Sequence, residues 1–213
     1  MTDRSTLDAA AGQSREAALL ERIHEAAQAG LDWIQLREKD LQTPQLVDLA
    51  HNAVAASQKT NTRILVNDRL DIAWAVGAAG VHLGEKSLPV AEVSRAAREA
   101  VRNEAARKKV GVDFLVGASC HSLEGTTRAA SDGADYVFFG PVFATPSKLA
   151  FGEPQGLARL RMVCRATAIP VFAIGGITKE NARACIDAGA SGLAAIRLFQ
   201  DEADLSALIK LLR

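Results

Sequence analysis

Short apolar runs alternate with longer amphipathic stretches along nearly the whole chain, a pattern that predicts repeated strand–helix units. "AALLERIHEAAQAG" spaces its apolar residues by three and four and stops at Gly30, as a helix does. "DWIQLREKD" then predicts a strand that runs out into charge. "TPQLVDLAHNAVAASQ" predicts a second helix, with Thr43 as N-cap and Pro44 in the first turn. Further strands are expected in "RILVND", "GVHLG", "FLVGASCH", "YVFFGPV", "VFAIGGI" and "GLAAIRL". Helices are expected over 69–78, 90–102, 122–132, 154–166 and 178–188, with a last one from about 201. The expectation is seven strands and eight helical segments.

Each unit has the length that a right-handed crossover needs, and no linker or shift in composition divides the chain. One domain over residues 1–213 is expected, an α/β fold of the TIM (β/α)8 barrel type; a doubly wound open sheet is the alternative. The polar residues after the strands favour the barrel. Arg37 and Lys39, Asn67 and Asp68, Glu85, Ser119 and His121, Thr145 to Lys148, Gly175 and Gly176, and Arg197 each follow or end a predicted strand. In a barrel all such ends meet at one mouth, where active sites are built.

Composition narrows the partners. With 48% hydrophobic residues in 213, the chain can bury a full core, and the 5% aromatic content suits strands rich in Val, Ile and Leu. The formal net charge is zero, which argues against nucleic acid or an anionic membrane as main partner. Cys120, Cys164 and Cys185 are widely spaced in apolar or helical contexts and read as reduced thiols of a cytoplasmic protein. No run reaches the ~18 apolar residues of a membrane helix, and "MTDRSTLDAA" lacks a signal-peptide core. A homo-oligomer is compatible with the sequence.

Charge at the predicted mouth is less balanced. Arg37, Lys39 and Lys148 would converge where Asp68 and Glu85 are the obvious counter-charges, making a funnel suited to a small polyanion such as a phosphate. A solvated loop with local ion pairs is the other reading of "REKD". In "AIGGITKENA", Gly175 and Gly176 precede a helix capped by Thr178, so backbone N–H groups can approach an anion; a plain tight turn is the alternative. "GPVFATPSK" adds the hydroxyls of Thr145 and Ser147 and the ammonium of Lys148, and "LAFGEPQG" beyond it looks like a lid.

Taken in order, "QLREKD", "VNDR", "GVHLG", "GPVFATPSK" and "AIGGI" resemble the thiamine phosphate synthase and thiazole tautomerase superfamily over nearly the whole chain. The resemblance implies a (β/α)8 barrel. It also implies a transferase of thiamine biosynthesis that joins hydroxymethylpyrimidine diphosphate to hydroxyethylthiazole phosphate and releases pyrophosphate, with Mg2+ as cofactor and small phosphorylated substrates as partners. Position by position it makes Arg37, Lys39, Asn67, Ser119 and Lys148 diphosphate ligands and Asp68 a magnesium ligand. Thr145, Ser147, Gly175, Gly176, Ile196 and Arg197 match the thiazole phosphate site. Lys148, Arg37, Lys39 and His121 are the expected catalytic residues.

Three departures from the family pattern stand out. Ser87 replaces the second magnesium-binding Asp, and Glu85 in the same loop is a candidate to compensate. Tautomerase-like members also tend to carry serine there, which keeps a thiazole tautomerase, with His121 as general acid or base, as the alternative; a non-catalytic ligand-binding regulator is the third reading. Arg197 stands where synthases often have a small hydroxyl residue, and either binds the phosphate or pairs with a helix outside. Finally, "TDR" is reached at residue 2, so the first strand is expected to be truncated or missing, with residues 1 to 14 poorly ordered. Something near the N-terminus, or a partner chain, would then lie between the first and last strands.

Overall fold

The computed structural model describes residues 1–103, 113–145 and 153–213. Seven parallel strands pair in sequence order: β1 (Trp33–Leu36), β2 (Arg63–Asn67), β3 (Gly80–Leu83), β4 (Leu115–Cys120), β5 (Tyr136–Phe139), β6 (Val171–Ile174) and β7 (Gly192–Ala194). Between and around them run α1 (Arg15–Gln28), α2 (Thr43–Ser57), α3 (Leu70–Ala75), α4 (Val90–Arg102), α5 (Leu123–Ser131), α6 (Gly156–Ala166), α7 (Lys179–Asp187), α8 (Arg197–Gln200) and α9 (Leu205–Leu212). A doubly wound sheet would reverse its strand order at a switch point. This one never does, so it curls in one direction as a TIM-type barrel.

Side chains alternate across the strands with period two. Ile34, Leu36, Ile64, Val66, Val81, Leu83 and Val116 join Leu19, Ile23, Leu46, Leu49 and Val93 of the helices in the larger outer core. The alternate positions supply a separate inner cluster of Leu65, Tyr136, Phe138 and Ala194, backed by Trp33, Leu115, Phe172 and Ile174. Glycine opens room for the largest of these: a Cβ at Gly117 would sit 2.1 Å from Cζ of Tyr136, so the Tyr136 ring lies directly across β4.

Local chemistry corrects several expectations. Helix α2 is capped by Gln42, whose N–H donates to Gln45 Oε1 at 3.2 Å; Thr43 is already helical and accepts instead from Arg69. The apolar run "GLAAIRL" is a strand only to Ala194. Ile196 caps α8, and Arg197 is its first residue rather than a strand end. The four-residue helix is too short to leave a periodicity, which is why the run reads as one strand.

The N-terminal expectation is met in part: residues near the N-terminus do lie between the first and last strands, while the first strand is not clearly missing. Met1 and Thr2 occupy the seam between β7 and β1: the Met1 amino group donates to Ala195 O at 3.2 Å and the Thr2 N–H to Gln35 O at 2.9 Å. The place of a first strand is therefore filled by this chain rather than missing. Nor are the first residues loosely held. Asp3 caps a 3-10 turn over Arg4–Thr6, and Thr2 is buried. Among the described residues no helix is long and apolar enough to cross a membrane.

Candidate active site

The strand C-termini open at one end of the barrel, and Asp68 organises that mouth. It follows β2 with φ 61, in the left-handed region that Asp tolerates better than most side chains, and its N–H donates to His82 O at 2.9 Å. Its Oδ1 accepts from Gly84 N at 3.0 Å and from the Ser87 hydroxyl, and its Oδ2 accepts from Asn67 Nδ2 at 2.7 Å. Burial, the largest influence on this carboxyl, opposes ionisation. The bonds from Ser87, Gly84 and Asn67 and the nearby charge of Lys39 outweigh it and hold the group below its ordinary range.

The ionised carboxylate fixes the polarity of what lies beside it. A carboxylate only accepts, so the Asn67 amide turns its nitrogen to Asp68 and its oxygen to Gln35, whose Nε2 donates to it at 2.7 Å. That leaves Gln35 Oε1 buried, with no hydrogen-bond partner among the described residues. A buried acceptor without a partner is costly, and a ligand N–H aimed at it would remove the cost.

On the β3–β4 side, buried His82 lies between Ser119 Oγ, 2.9 Å from Nε2, and the Tyr136 hydroxyl, 3.0 Å from Nδ1. Burial pushes the His82 pKa down to about 3, so the ring is neutral at ordinary pH. His121, just beyond β4, points its Nδ1 at Gly140 O and sets Nε2 3.9 Å from Glu85. Glu85 thus lies beside His121, while Ser87 donates to Asp68.

The two acids of "REKD", Glu38 and Asp40, take up contacts with the N-terminal segment. Buried Glu38 accepts from Thr2 Oγ1 at 2.6 Å and from the Arg4 N–H at 3.0 Å, and Arg4 also pairs with Asp40 and Glu16. Lys39 is near enough to act on Asp68. The Arg37 N–H is itself fixed by Thr2 Oγ1 at 3.0 Å.

Across the barrel, Gly175 and Gly176 have φ values of 95 and 65. A Cβ on Gly175 would lie 2.5 Å from Pro141 Cβ, and one on Gly176 2.5 Å from Ala144 O, so both glycines let this turn press against the loop that carries Thr145. Thr178 caps α7 as expected, and Asn181 Nδ2 binds Gly176 O at 2.9 Å. The Arg197 side chain is exposed and makes no hydrogen bond or ion pair among the described residues, while its carbonyl accepts from Asp201 N at 2.9 Å. Ser147 and Lys148 lie outside the described residues.

Residues 9–102 and 97–199 match the model of the family described as thiamine monophosphate synthase. The chain belongs to that family. It is 41% identical over 206 residues to the thiamine-phosphate synthase of Methanoculleus marisnigri, covering 97% of this chain and 90% of the relative. To the thiamine-phosphate synthase of Clostridium novyi it is 36% identical over 212 residues, covering 100% and 94%. The solved thiamine phosphate pyrophosphorylase of Pyrococcus furiosus superposes with a TM-score of 0.77 at 30% identity, covering 99% of this chain and 90% of that one.

Sequence reasoning missed five residues at or behind this family member's mouth. Gln35 and Glu38 were readable from the two-residue alternation of "QLREKD" once the strand register was set. Arg4 and the buried pair of His82 with Tyr136 act through contacts 34 and 54 positions apart, which no local pattern signals.

Proposed function

We propose that this chain is a thiamine phosphate synthase, a transferase that joins hydroxymethylpyrimidine diphosphate to hydroxyethylthiazole phosphate. The observation that carries the reading is the pairing of a buried, unpartnered acceptor, Gln35 Oε1, with the Arg37 and Lys39 stretch of the same strand end. An aminopyrimidine offers an N–H to the first and its diphosphate a negative charge to the second.

In this reading Arg37, Lys39, Asn67, Ser119 and Lys148 hold the diphosphate, and the cations among them offset the charge that grows on it as the C–O bond breaks. The electron pair leaves with pyrophosphate. The thiazole nitrogen then gives its lone pair to the pyrimidine methylene, forming the C–N bond. Thr145, Ser147, Gly175, Gly176, Ile196 and Arg197 orient the thiazole phosphate, and His121 stands at the rim beside Glu85 as the candidate general acid or base.

Asp68 fits a one-carboxylate magnesium site. Three of the four lone-pair directions of its carboxylate accept hydrogen bonds, and one on Oδ2 remains. Magnesium commonly binds through one or two carboxylates, with substrate phosphate oxygens and water completing the shell. Held there, it would supply positive charge opposite the diphosphate. The enzyme would act in the cytoplasm as one barrel over residues 1–213, with neither nucleic acid nor membrane as partner.

The bond from Ser87 to Asp68, in place of a second carboxylate, is the one observation that favours a thiazole tautomerase. One assay separates the two. Purified protein is given both synthase substrates with and without Mg2+, and separately a carboxythiazole phosphate. Mg2+-stimulated thiamine phosphate formation is expected; isomerisation of the carboxythiazole phosphate with no thiamine phosphate at any Mg2+ concentration would overturn the synthase.

A further inference from the structure

We infer that Tyr136, from inside the barrel, sets the tautomer of His82 so that Ser119 is held at the mouth as a hydrogen-bond donor to a substrate oxygen. Ser119 touches the substrate in this scheme; His82 and Tyr136 are positioning residues. The inference rests on the proposed diphosphate site for the identity of the acceptor, but the tautomer itself does not depend on it.

Donor counting decides the direction of the chain. Neutral imidazole carries one N–H, and the Tyr136 and Ser119 hydroxyls can each donate or accept. If His82 carried its proton on Nδ1, it would donate to Tyr136, and the phenol would need another acceptor for its own O–H. Among the described residues there is none. Tyr136 is fully buried, its ring lies across Gly117, and it packs against Trp33, Phe138 and Phe172. A buried O–H left without a partner is strongly disfavoured. The phenol therefore donates to Nδ1 over 3.0 Å, and the proton sits on Nε2 and points 2.9 Å to Ser119 Oγ.

Ser119 consequently accepts from His82 and keeps its own O–H to give. Ser119 Oγ makes no other hydrogen bond among the described residues, and the residue is half-buried at the end of β4, with the mouth open beside it. A diphosphate accepts but never donates at this position, so a serine whose proton was committed to His82 would face it lone pair to lone pair. Tyr136 removes that arrangement.

The test reads the tautomer directly. With isotope-labelled histidine, the imidazole nitrogen shifts of His82, assigned by loss in His82→Gln, should show the proton on Nε2 in the unmodified protein. A proton on Nδ1 would overturn the inference, and this arm needs no variant to remain folded beyond the assignment. In Tyr136→Phe the shifts should move toward a mixture of tautomers. Pyrophosphate, used as the probe in a binding titration, should bind about tenfold more weakly to Tyr136→Phe. Ser119→Ala should lose the same amount, and Tyr136→Phe should add little to it. Wild-type affinity in Tyr136→Phe would also sink the inference. Absence of pyrophosphate binding by the unmodified protein would instead remove the diphosphate reading, and the tautomer alone would then decide.

Discussion

Two hydrogen-bonded chains reach the same mouth with opposite polarity. The chain on β1 and β2 starts from a charge, Asp68, and passes through Asn67 to deliver an acceptor, Gln35 Oε1. The chain on β3, β4 and β5 contains no charge, starts from the Tyr136 phenol, and passes through His82 to deliver a donor at Ser119. In each the far end is set by the one group that has no choice: an ionised carboxylate cannot donate, and a walled-in phenol cannot accept without wasting its proton. The charged anchor is adjustable, because metal, pH or a neighbour can change it. The neutral anchor is fixed by packing, since its only variable is whether His82 stays uncharged.

The largest break in this symmetry is expected at the charged anchor. Asp68→Asn keeps the shape and tolerates φ 61, but an amide can donate, so Asn67 and Gln35 are no longer held in one orientation and the candidate magnesium site loses its carboxylate. Thiamine phosphate formation should fall roughly a hundredfold, with Mg2+ stimulation lost and the folded state retained. Activity within about twofold of wild type would show that neither the polarity nor the charge matters there.

That prediction marks how far the sequence reaches. Strand order, the mouth and the cationic stretch are legible because they follow from hydrophobic alternation and from polar residues placed just past apolar runs. That Glu38 and Asp40 of "REKD" are taken up by the N-terminal segment is a tertiary matter, decided when Thr2 and Arg4 reach them. The diglycine is legible as special but not as to why. Its close approach to Pro141 and Ala144 is a tertiary contact that looks the same in sequence as an anion cradle. His82 was unreadable as a polar link because "GVHLG" looks like any buried strand, and its partners sit on other strands.

The next effect concerns the neutral anchor and acid. Burial holds His82 at a pKa of about 3, against an unfolded value near ~6.5. Below ~6.5 the unfolded chain binds a proton that the folded protein refuses, so the stability contributed by neutral His82 is full above that pH and is lost as pH falls toward about 3. The slope approaches ~1.4 kcal/mol per pH unit for this one group. Urea denaturation between pH 6.5 and 4 should show that slope, and His82→Gln, which does not titrate, should flatten it. The Asp68 carboxyl, also lowered but in favour of its charged form, acts in a separate and lower window: its contribution is present above ~4 and lost as pH falls through its depressed folded value. An equally steep decline in His82→Gln over the higher window would place the acid sensitivity elsewhere.

The smallest expected effect sharpens what a charged anchor means. Ser87 donates to Asp68 Oδ1, and the same oxygen accepts from Gly84 N, so one hydroxyl and one amide now do what a second cation ligand would otherwise require metal to balance. Ser87→Asp replaces the donor with a like charge beside a half-buried carboxylate. Without metal the two charges repel, and stability should drop by about 1 kcal/mol. Mg2+ should reverse that loss, because a cation between two carboxylates favours the folded state by mass action. Thermal unfolding across a Mg2+ titration reads this without any turnover: the melting temperature of Ser87→Asp should begin lower and rise with Mg2+ further than that of the unmodified protein. Equal Mg2+ responses in the two proteins would mean that the residue at 87 does not face the cation, and that Asp68 owes its low pKa to its hydrogen bonds without marking a metal position.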